Sequence, residues 1–294
     1  MTSAIGAAKS IERIGIVGCG VMGTGIAETC ARAGLDVRVV ASGAAGVDRG
    51  RARLDRSLAG AVRKGKLDAA DRDALTERIV FTTDLDELAD RQFVIEAVPE
   101  REQAKLAVFA ALDSVLTEPA AILASTTSSI PIMKLCRATS RPDRVLGTHF
   151  FNPVPVLPLV EVITSLFTDD WVRQVSEAFV TDVLGKQVIN AGDRSGFVVN
   201  ALLVPYLIAA VRMLESGYAT AEDIDKGMTL GCAHPIGPLA LVDLIGLDVI
   251  AAVGDALHAE FKEPAYAVPP LLARMVEGGL LGKKSGRGFY SYDR

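Results

Sequence analysis

The chain has 294 residues, enough for one large or two ordinary domains, and half of them are hydrophobic, so a sizeable core is available. It carries 31 basic and 36 acidic residues, a net charge of −5, and no basic patch interleaved with aromatic residues. This balance argues against nucleic acid as the main partner. The longest apolar stretch, residues 197 to 211, is interrupted by Asn200 and Pro205 and is shorter than the ~20 residues that a membrane span needs.

Two further features bear on the compartment. The amino terminus has no continuous apolar core of signal-peptide length. The four cysteines lie far apart and in no metal-ligand spacing, as in a reduced cytosolic protein, and Cys19 is interpreted as a packing residue rather than a reactive thiol. The sequence therefore predicts a soluble cytoplasmic protein without a metal site.

The chain opens with a strand, a glycine-rich turn and a helix. The run RIGIV at residues 13–17 is followed by GCGVMGTG, by apolar residues at helical spacing, and by a second strand at residues 36–40. The turn has the Gly-x-Gly-x-x-Gly spacing that directs backbone N–H groups and the helix dipole at the pyrophosphate of a dinucleotide. A glycine-rich turn without a ligand is the alternative. The cofactor contacts expected from this motif are Gly18, Gly20, Val21, Met22 and Gly23.

The second strand ends without the acidic residue that binds the ribose hydroxyls of NAD in this architecture. Ala41, Ser42 and Gly43 occupy the position, so Ser42 is the expected contact, either to a hydroxyl or to a phosphate. Arg49 and Arg51 follow closely and could approach the same group. The choice between NAD and NADP therefore stays open, and the missing carboxylate favours NADP more than the glycine motif alone does.

Strands and helices continue to alternate after this point. A charged helical pair covers residues 46–75, where Ser57 and Lys64 share one helical face, either as solvated surface or as a grip for a phosphate-bearing substrate. Hydroxyl groups cluster at residues 126–129, after a predicted strand at residues 121–125. This is where open α/β sheets bind ligands, although capping of the next helix also explains Ser129.

Residues 144 to 163, RVLGTHFFNPVPVLPLVEVI, predict two strands joined by a loop that contains three prolines. A tight return would bring His149 and Glu161 together. A carboxylate that orients a histidine and stabilises its cation is what a proton-transfer site needs. The alternative is a hydrogen-bonded core histidine and a surface glutamate. A last helix at residues 170–184 and a strand at residues 186–190 complete this part of the chain.

Helical patterns fill the remainder, after a polar, glycine-rich linker at residues 191–196. An apolar helix at residues 197–215 contains Pro205, which should kink it, and Asn200, which is either a core polar group or directed at the active site. Further helices are expected at residues 220–230, 238–257 and 269–278. A helical region this apolar predicts burial against another subunit. The predicted fold is an α/β Rossmann-like dinucleotide-binding domain over residues 1–191 and an all-α carboxyl-terminal substrate and dimerisation domain over residues 192–294.

Four segments in order resemble the L-3-hydroxyacyl-CoA dehydrogenase family, in its short bacterial form that acts on 3-hydroxybutyryl-CoA. They are HFFNPVPVLPLVEVI, GFVVNALLVPYL, EDIDKGM and GKKSGRGFY, and the resemblance extends from residue 13 to residue 292. It implies a homodimer formed through the helical domain. It also implies reversible hydride transfer between C3 of an acyl-CoA and NAD or NADP.

The resemblance also implies roles for single residues. His149 matches the catalytic histidine, which takes and returns the proton, and Glu161 matches its carboxylate partner. Ser128 and Asn200 match residues at the reacting oxygen. Further matches are the CoA-contacting positions Ser57, Lys64 and Ser128 and the cofactor-contacting positions Glu100, Lys105, Asn152 and Lys284.

Two positions depart from the family pattern. Thr126 stands where the family usually has Asn, which would alter the nicotinamide side of the site, and Ala41 stands where it usually has an acidic residue. Two other functions remain open: a dehydrogenase of free hydroxy or sugar acids on the same scaffold, and a non-catalytic dinucleotide-binding or structural relative. The CoA-contacting positions favour an acyl-CoA over the first, and the histidine, glutamate and serine set favours catalysis over the second.

Overall fold

The computed structural model describes residues 3 to 292, so residues 1, 2, 293 and 294 of the predicted domains lie outside the described part. The chain divides into two compact units, the first ending at Asp193 and the second beginning at Arg194. The first unit is built on a single eight-stranded sheet. Its strands β1 to β8 are, in chain order, Arg13–Val17, Asp36–Val40, Ile79–Thr82, Phe93–Glu96, Ile122–Ser125, Val145–Phe150, Leu159–Thr164 and Gln187–Gly192.

The strands lie in the order β3-β2-β1-β4-β5-β6-β7-β8. Every neighbouring pair is parallel except β6 and β7, which are antiparallel. Strand β1 pairs with both β2 and β4, so the winding direction reverses there, and ligands of open α/β sheets bind at such a reversal. The Rossmann-like fold expected from the sequence is confirmed.

Helix α1 precedes β1, and helices α2 to α7 lie in the connections between the strands. The central strands β4 and β5 are fully buried, which explains why the sequence shows them as apolar runs rather than alternating patterns. Phe93 of β4 stacks on Phe179, which follows α7, with ring centroids 4.9 Å apart. The bounds of α1 to α7 are Ala4–Lys9, Val21–Arg32, Ala44–Arg63, Ala69–Glu77, Glu102–Val115, Ile132–Cys136 and Asp170–Ala178.

Two predictions near the end of this unit need correction. The helix expected over residues 170–184 ends as α7 at Ala178 and continues as a π-helical turn, Phe179–Val183. The predicted linker begins too early, because Ala191 and Gly192 pair with Ile163 and Thr164 of β7 and belong to β8. The division between the units therefore falls after Asp193.

The second unit is helical, with α8 to α12 at Val199–Glu215, Ala221–Gly231, Pro238–Ile245, Leu247–Phe261 and Pro270–Glu277. Helix α8 runs through Pro205 without ending. The single helix expected over residues 238–257 is two helices, because Gly246 adopts a φ of 113° between α10 and α11. Thr220 caps α9 as its sequence pattern predicts, accepting a hydrogen bond from the Asp223 N–H at 3.1 Å.

Two buried aspartates hold the carboxyl-terminal segment against these helices. The Asp225 carboxylate accepts a hydrogen bond from the Tyr290 hydroxyl at 2.9 Å, and the Asp243 carboxylate accepts one from the Tyr292 hydroxyl at 3.0 Å. Burial and the neighbouring carboxylate raise the pKa of the Tyr290 hydroxyl. The same two causes raise the pKa of the Tyr292 hydroxyl to about 12. The glycine-rich tail is therefore part of the folded unit.

Between residues 3 and 292, no helix combines the length and apolar character of a membrane span.

Candidate active site

The glycine turn after β1 has the shape that a dinucleotide requires. Gly18 has a φ of 111°, and a Cβ there would lie 2.5 Å from the Ala97 carbonyl oxygen. A Cβ on Gly23 would lie 1.9 Å from the Gly18 carbonyl oxygen, so α2 can approach the strand only with glycine at this position. Around Gly20 nothing lies within 4 Å of the added atom, which leaves open space for a pyrophosphate at the start of α2.

A groove opens beside this turn, and it brings several predicted site residues together. One wall is formed by α2 and α3, where Val21 and Ser57 lie, and the other by Asn152 and the prolines that follow β6. Arg53 and Arg56 of α3 also line it, and the Arg53 guanidinium donates to the Cys19 carbonyl oxygen at 3.1 Å. The groove also contains the Glu28 carboxylate, but its two guanidinium groups outnumber that charge and suit it to a phosphate-bearing ligand.

His149 and Glu161 stand directly opposite each other in the antiparallel pair of β6 and β7. Opposed residues of such a pair project from the same face of the sheet. The imidazole Nδ1 lies 2.6 Å from the Glu161 Oε2, and both side chains are buried, Glu161 completely. The predicted return of the chain therefore brings the carboxylate within hydrogen-bonding distance of the ring. The interpretation of Glu161 as a surface charge is wrong.

The second ring nitrogen faces the hydroxyl cluster after β5. The His149 Nε2 lies 3.0 Å from the Ser128 Oγ. Because β5 and β6 are parallel, their carboxyl ends meet at one edge of the sheet, and this brings Ser128 to the histidine. A proton on Nδ1 directed at the carboxylate places the lone pair of Nε2 on the serine side, where it can accept a proton. The arrangement can thus act as a general acid and base.

Glu100 organises the loop between β5 and α6, residues 126 to 131, which is called the Ser128 loop below. Its Oε1 accepts hydrogen bonds from the Thr127 hydroxyl at 2.5 Å, the Ser128 N–H at 3.0 Å, and both the N–H and the hydroxyl of Ser129. Burial acts to raise the pKa of Glu100, but the Lys105 ammonium and these hydrogen bonds outweigh it, so the pKa is lowered. Glu100 is therefore a carboxylate at neutral pH and holds the loop as a hydrogen-bond acceptor.

A buried ion pair lies beneath Glu100. The Lys105 Nζ is 2.8 Å from Oε1 of Glu96 and 3.3 Å from Oε2 of Glu100, and the Ser125 hydroxyl donates to Glu96 at 2.6 Å. Lys105 is 1% exposed, so it braces the two carboxylates from inside the protein. Removing one partner of such a pair leaves an uncompensated buried charge and typically costs about 3–5 kcal/mol.

Asp193 fixes the far end of the same loop. Its two carboxylate oxygens accept hydrogen bonds from the backbone N–H groups of Ile132 and Met133, each at 2.7 Å. These N–H groups open α6, where a carboxylate is favoured by the unpaired donors and the helix dipole. The Ser128 loop is thus held by Glu100 at one end and by Asp193 at the other.

The end of β2 carries only small residues. Ala41 is buried, its N–H donates to the Thr82 carbonyl oxygen at 2.9 Å, and the first turn of α3 packs against it at Gly46. Ser42 is exposed at the surface beside them. The other departure, Thr126, lies directly after β5 and donates its N–H to the Glu96 carbonyl oxygen at 3.0 Å.

Three predicted site residues lie away from this cluster or in the other unit. Lys64 follows the last residue of α3, seven positions beyond Ser57. Asn200 lies in the first turn of α8, in the helical unit. Lys284, in the same unit, forms an ion pair with Asp248 at 2.5 Å.

Glu96 and Asp193 are the site residues that sequence reasoning missed. Glu96 lies in the apolar strand FVIE, and a carboxylate inside such a strand indicates a buried group that needs a partner. Asp193 lies in a stretch interpreted as linker, and its partner helix is about 60 residues earlier, so no local pattern identifies it.

Comparison with known proteins agrees with this geometry. The model of the 3-hydroxyacyl-CoA dehydrogenase NAD binding domain matches residues 13–194, and that of the 3-hydroxyacyl-CoA dehydrogenase C-terminal domain matches residues 196–292. A 3-hydroxybutyryl-CoA dehydrogenase of Mycobacterium tuberculosis is 57% identical over 96% of this chain and 99% of its own. The human mitochondrial hydroxyacyl-coenzyme A dehydrogenase is 36% identical over 96% of this chain and 91% of its own.

Two solved structures are also similar to this chain over nearly its whole length. The crystal structure of FadB2 from M. tuberculosis superposes with a TM-score of 0.95 at 57% identity, covering 96% of this chain and 99% of the other. The (S)-3-hydroxybutyryl-CoA dehydrogenase PaaH1 from Ralstonia eutropha superposes with a TM-score of 0.91 at 46% identity, covering 97% and 100%. The site geometry, the two domain matches and these relatives together show that the chain belongs to the 3-hydroxyacyl-CoA dehydrogenase family, a family of oxidoreductases that use a nicotinamide dinucleotide.

Proposed function

We propose that this enzyme interconverts 3-hydroxybutyryl-CoA and acetoacetyl-CoA. The observation that carries the proposal is the position of His149, with one ring nitrogen on the buried Glu161 and the other on Ser128. This arrangement provides a base for a hydroxyl proton when the substrate is oxidised and an acid for the new alkoxide when it is reduced. The relatives named 3-hydroxybutyryl-CoA dehydrogenase support the choice of substrate.

The roles of the residues follow from their contacts. A bound nicotinamide would supply the hydride chemistry at C3 of the hydroxyacyl group. In oxidation, the His149 Nε2 takes the proton of the C3 hydroxyl, and Glu161 stabilises the imidazolium that results. Ser128 donates a hydrogen bond to the reacting oxygen, a contribution worth roughly 10²–10³ in rate for such a donor. Asn200 is proposed as a second donor at the same oxygen.

The groove between α2, α3 and the prolines after β6 favours a CoA thioester over a free acid. It holds Ser57 together with two guanidinium groups, Arg53 and Arg56, whereas a free hydroxy acid of four carbons offers only one carboxylate for them. We propose Ser57 and Lys64 as CoA contacts. The proposed cofactor contacts are the glycine turn with Val21 and Met22, together with Ser42, Glu100, Lys105, Asn152 and Lys284.

We further propose that the enzyme accepts NADP as well as NAD. Residues 41 to 46, ASGAAG, offer no carboxylate to repel a 2′-phosphate, and Ser42 is exposed to donate to it. A homodimer and a cytoplasmic location complete the proposal. The free state of all four cysteines, which fall within the described residues, supports a reducing compartment.

The experiment that tests the proposal measures steady-state reduction of acetoacetyl-CoA and of free acetoacetate, each with NADH and with NADPH. We expect turnover of the CoA ester with either coenzyme and little turnover of the free acid. Preference for the free acid would favour the alternative of a hydroxy-acid dehydrogenase. Absence of turnover with both substrates would contradict the proposed reaction.

A further inference from the structure

Lys186 is a buried lysine beneath the loop that joins the strand of His149 to the strand of Glu161. This loop, residues 151 to 158, is called the proline loop below. Lys186 immediately precedes β8 and is 7% exposed. Its Nζ donates hydrogen bonds to the carbonyl oxygens of Val154 and Leu157, each at 2.7 Å. Both acceptors belong to the proline loop, so the ammonium group joins the loop to the start of β8.

The loop has few other donors with which to hold itself. Three of its eight residues are prolines, which have no N–H group. The N–H groups of Val156 and Leu157 both donate to the Pro153 carbonyl oxygen at 3.0 Å, a bond within the loop. The backbone of Lys186 is anchored separately, since its N–H donates to the Val180 carbonyl oxygen at 3.0 Å. The Gln187 N–H also holds the last residue of the loop, by donating to the Pro158 carbonyl oxygen at 2.7 Å. Lys186 therefore connects a fixed point of the fold to the middle of the loop, where the backbone bonds stay within the loop itself.

A charged group at this position is costly and so needs a reason. Burial lowers the pKa of the Lys186 ammonium, and the neighbouring Cys30 offsets this only in part. An apolar side chain of similar length would fill the space without that cost. What an apolar side chain cannot do is donate two hydrogen bonds to carbonyl oxygens. The gain is thus in the placement of the loop.

The placement matters because the proline loop is one wall of the groove described above. Val154 is 2% exposed and packs against Gly25 of α2, where an added Cβ would lie 3.0 Å from the Val154 Cβ. Asn152 through Pro155 face Arg53 and Ser57 across the groove. His149 and Glu161 are held differently, by the ladder of β6 and β7. A shift of the loop would alter the groove and leave the proton-transfer pair in register.

We propose that Lys186 is a positioning residue that fixes the proline loop as a wall of the ligand groove. It contributes to ligand binding through the loop and not to the chemical step. The identity of the ligand rests on the function proposed above, but the mechanical role of Lys186 does not.

The first test measures amide hydrogen exchange in the full chain carrying Lys186→Met. We expect the amides of Val156 and Leu157 to exchange about 10-fold faster or more, while peptides covering β6 and β7 keep their protection. The Lys186→Gln variant, which retains a short side-chain donor, should fall between wild type and Lys186→Met. Unchanged exchange in the loop would overturn the proposal. So would equal acceleration throughout the sheet, because that marks a general loss of stability.

The second test separates binding from chemistry. For Lys186→Met we expect the KM for acetoacetyl-CoA to rise about 10-fold, equivalent to about 1.4 kcal/mol, with kcat within about 2-fold of wild type. Lys134→Met is the matched control, because Lys134 is half exposed and pairs with Glu102 on the surface. A fall in kcat at unchanged KM would overturn the positioning role. If wild type shows no turnover of acetoacetyl-CoA, the proposed function fails, and the exchange measurement still decides the role of Lys186.

Discussion

At the scale of single residues, the site depends on carboxyl groups that are surrounded by hydrogen-bond donors. Glu161 is completely buried beside the histidine ring, and Glu96 is completely buried beside the Lys105 ammonium. Glu100 is partly exposed and accepts hydrogen bonds from the N–H and hydroxyl groups of the Ser128 loop. A buried carboxylate is tolerated only when donors or cations surround it. These groups therefore fix His149 and Ser128, whose side chains face each other at 3.0 Å.

Glu100 gives a prediction about stability and pH. Its pKa is lower in the folded chain than the ordinary value of 4.5, so its contribution is fully present above that value and is lost as the pH falls through the folded pKa. We expect Glu100→Gln to lower the free energy of unfolding at neutral pH by about 1 kcal/mol, because the hydrogen bonds lose their charged acceptor. The deficit should shrink when the pH falls below 4.5.

Urea unfolding at neutral and at acidic pH measures this difference. Glu102→Gln provides the control, because Glu102 is an exposed carboxylate with a surface lysine partner and should have little effect at either pH. A deficit for Glu100→Gln that stays constant across this range would show that the charge of Glu100 is not what holds the loop.

At the scale of elements, the glycine turn shows how one contact sets the distance between a helix and a strand. We expect Gly23→Ala to weaken NADH binding about 10-fold or more, because its methyl group would push α2 away from the Gly18 carbonyl oxygen. Fluorescence titration with NADH measures the change. Gly60→Ala is the control, since Gly60 lies in α3 with nothing closer than 3.8 Å to an added Cβ. Equal affinity in the two variants would contradict the close approach.

Sequence patterns predicted local pairings well and distant ones poorly. The pairing of His149 with Glu161 could be predicted because a short loop returns the chain within 12 residues. The end of β8 was missed because it depends on backbone pairing with β7. The break at Gly246 was missed because a sequence pattern does not show which glycine in a helical stretch adopts a positive φ. The bond of Ser125 to Glu96 spans 29 residues and exists only because β4 and β5 are neighbours.

At the scale of the whole molecule, the helical unit carries apolar side chains that remain exposed in a single chain. Leu202, Tyr218 and Leu230 are each at least 72% exposed. The homodimer that the resemblance implies would cover such side chains with a second copy of the chain. We expect light scattering to give twice the chain mass of 31.0 kDa. A monomer at micromolar concentration would contradict the proposed homodimer.

The division into units was visible in the sequence, because strand and helix alternation stops where the helical patterns begin. The position of Asn200 and Lys284 within the helical unit was also readable from the chain order. Their roles at the reacting atoms stay predictions that rest on the resemblance.

The measurement that tests the central claim most directly is the turnover of His149→Gln on acetoacetyl-CoA, with NADH binding measured in parallel. The proton-transfer role predicts that the variant binds NADH as wild type does and that its kcat falls by about 10²–10⁴. Glu161→Gln should bind NADH equally well and lose turnover in the same direction, since it removes the charge that stabilises the imidazolium. Near-native kcat in both variants would contradict the claim that His149, held by Glu161, moves the proton.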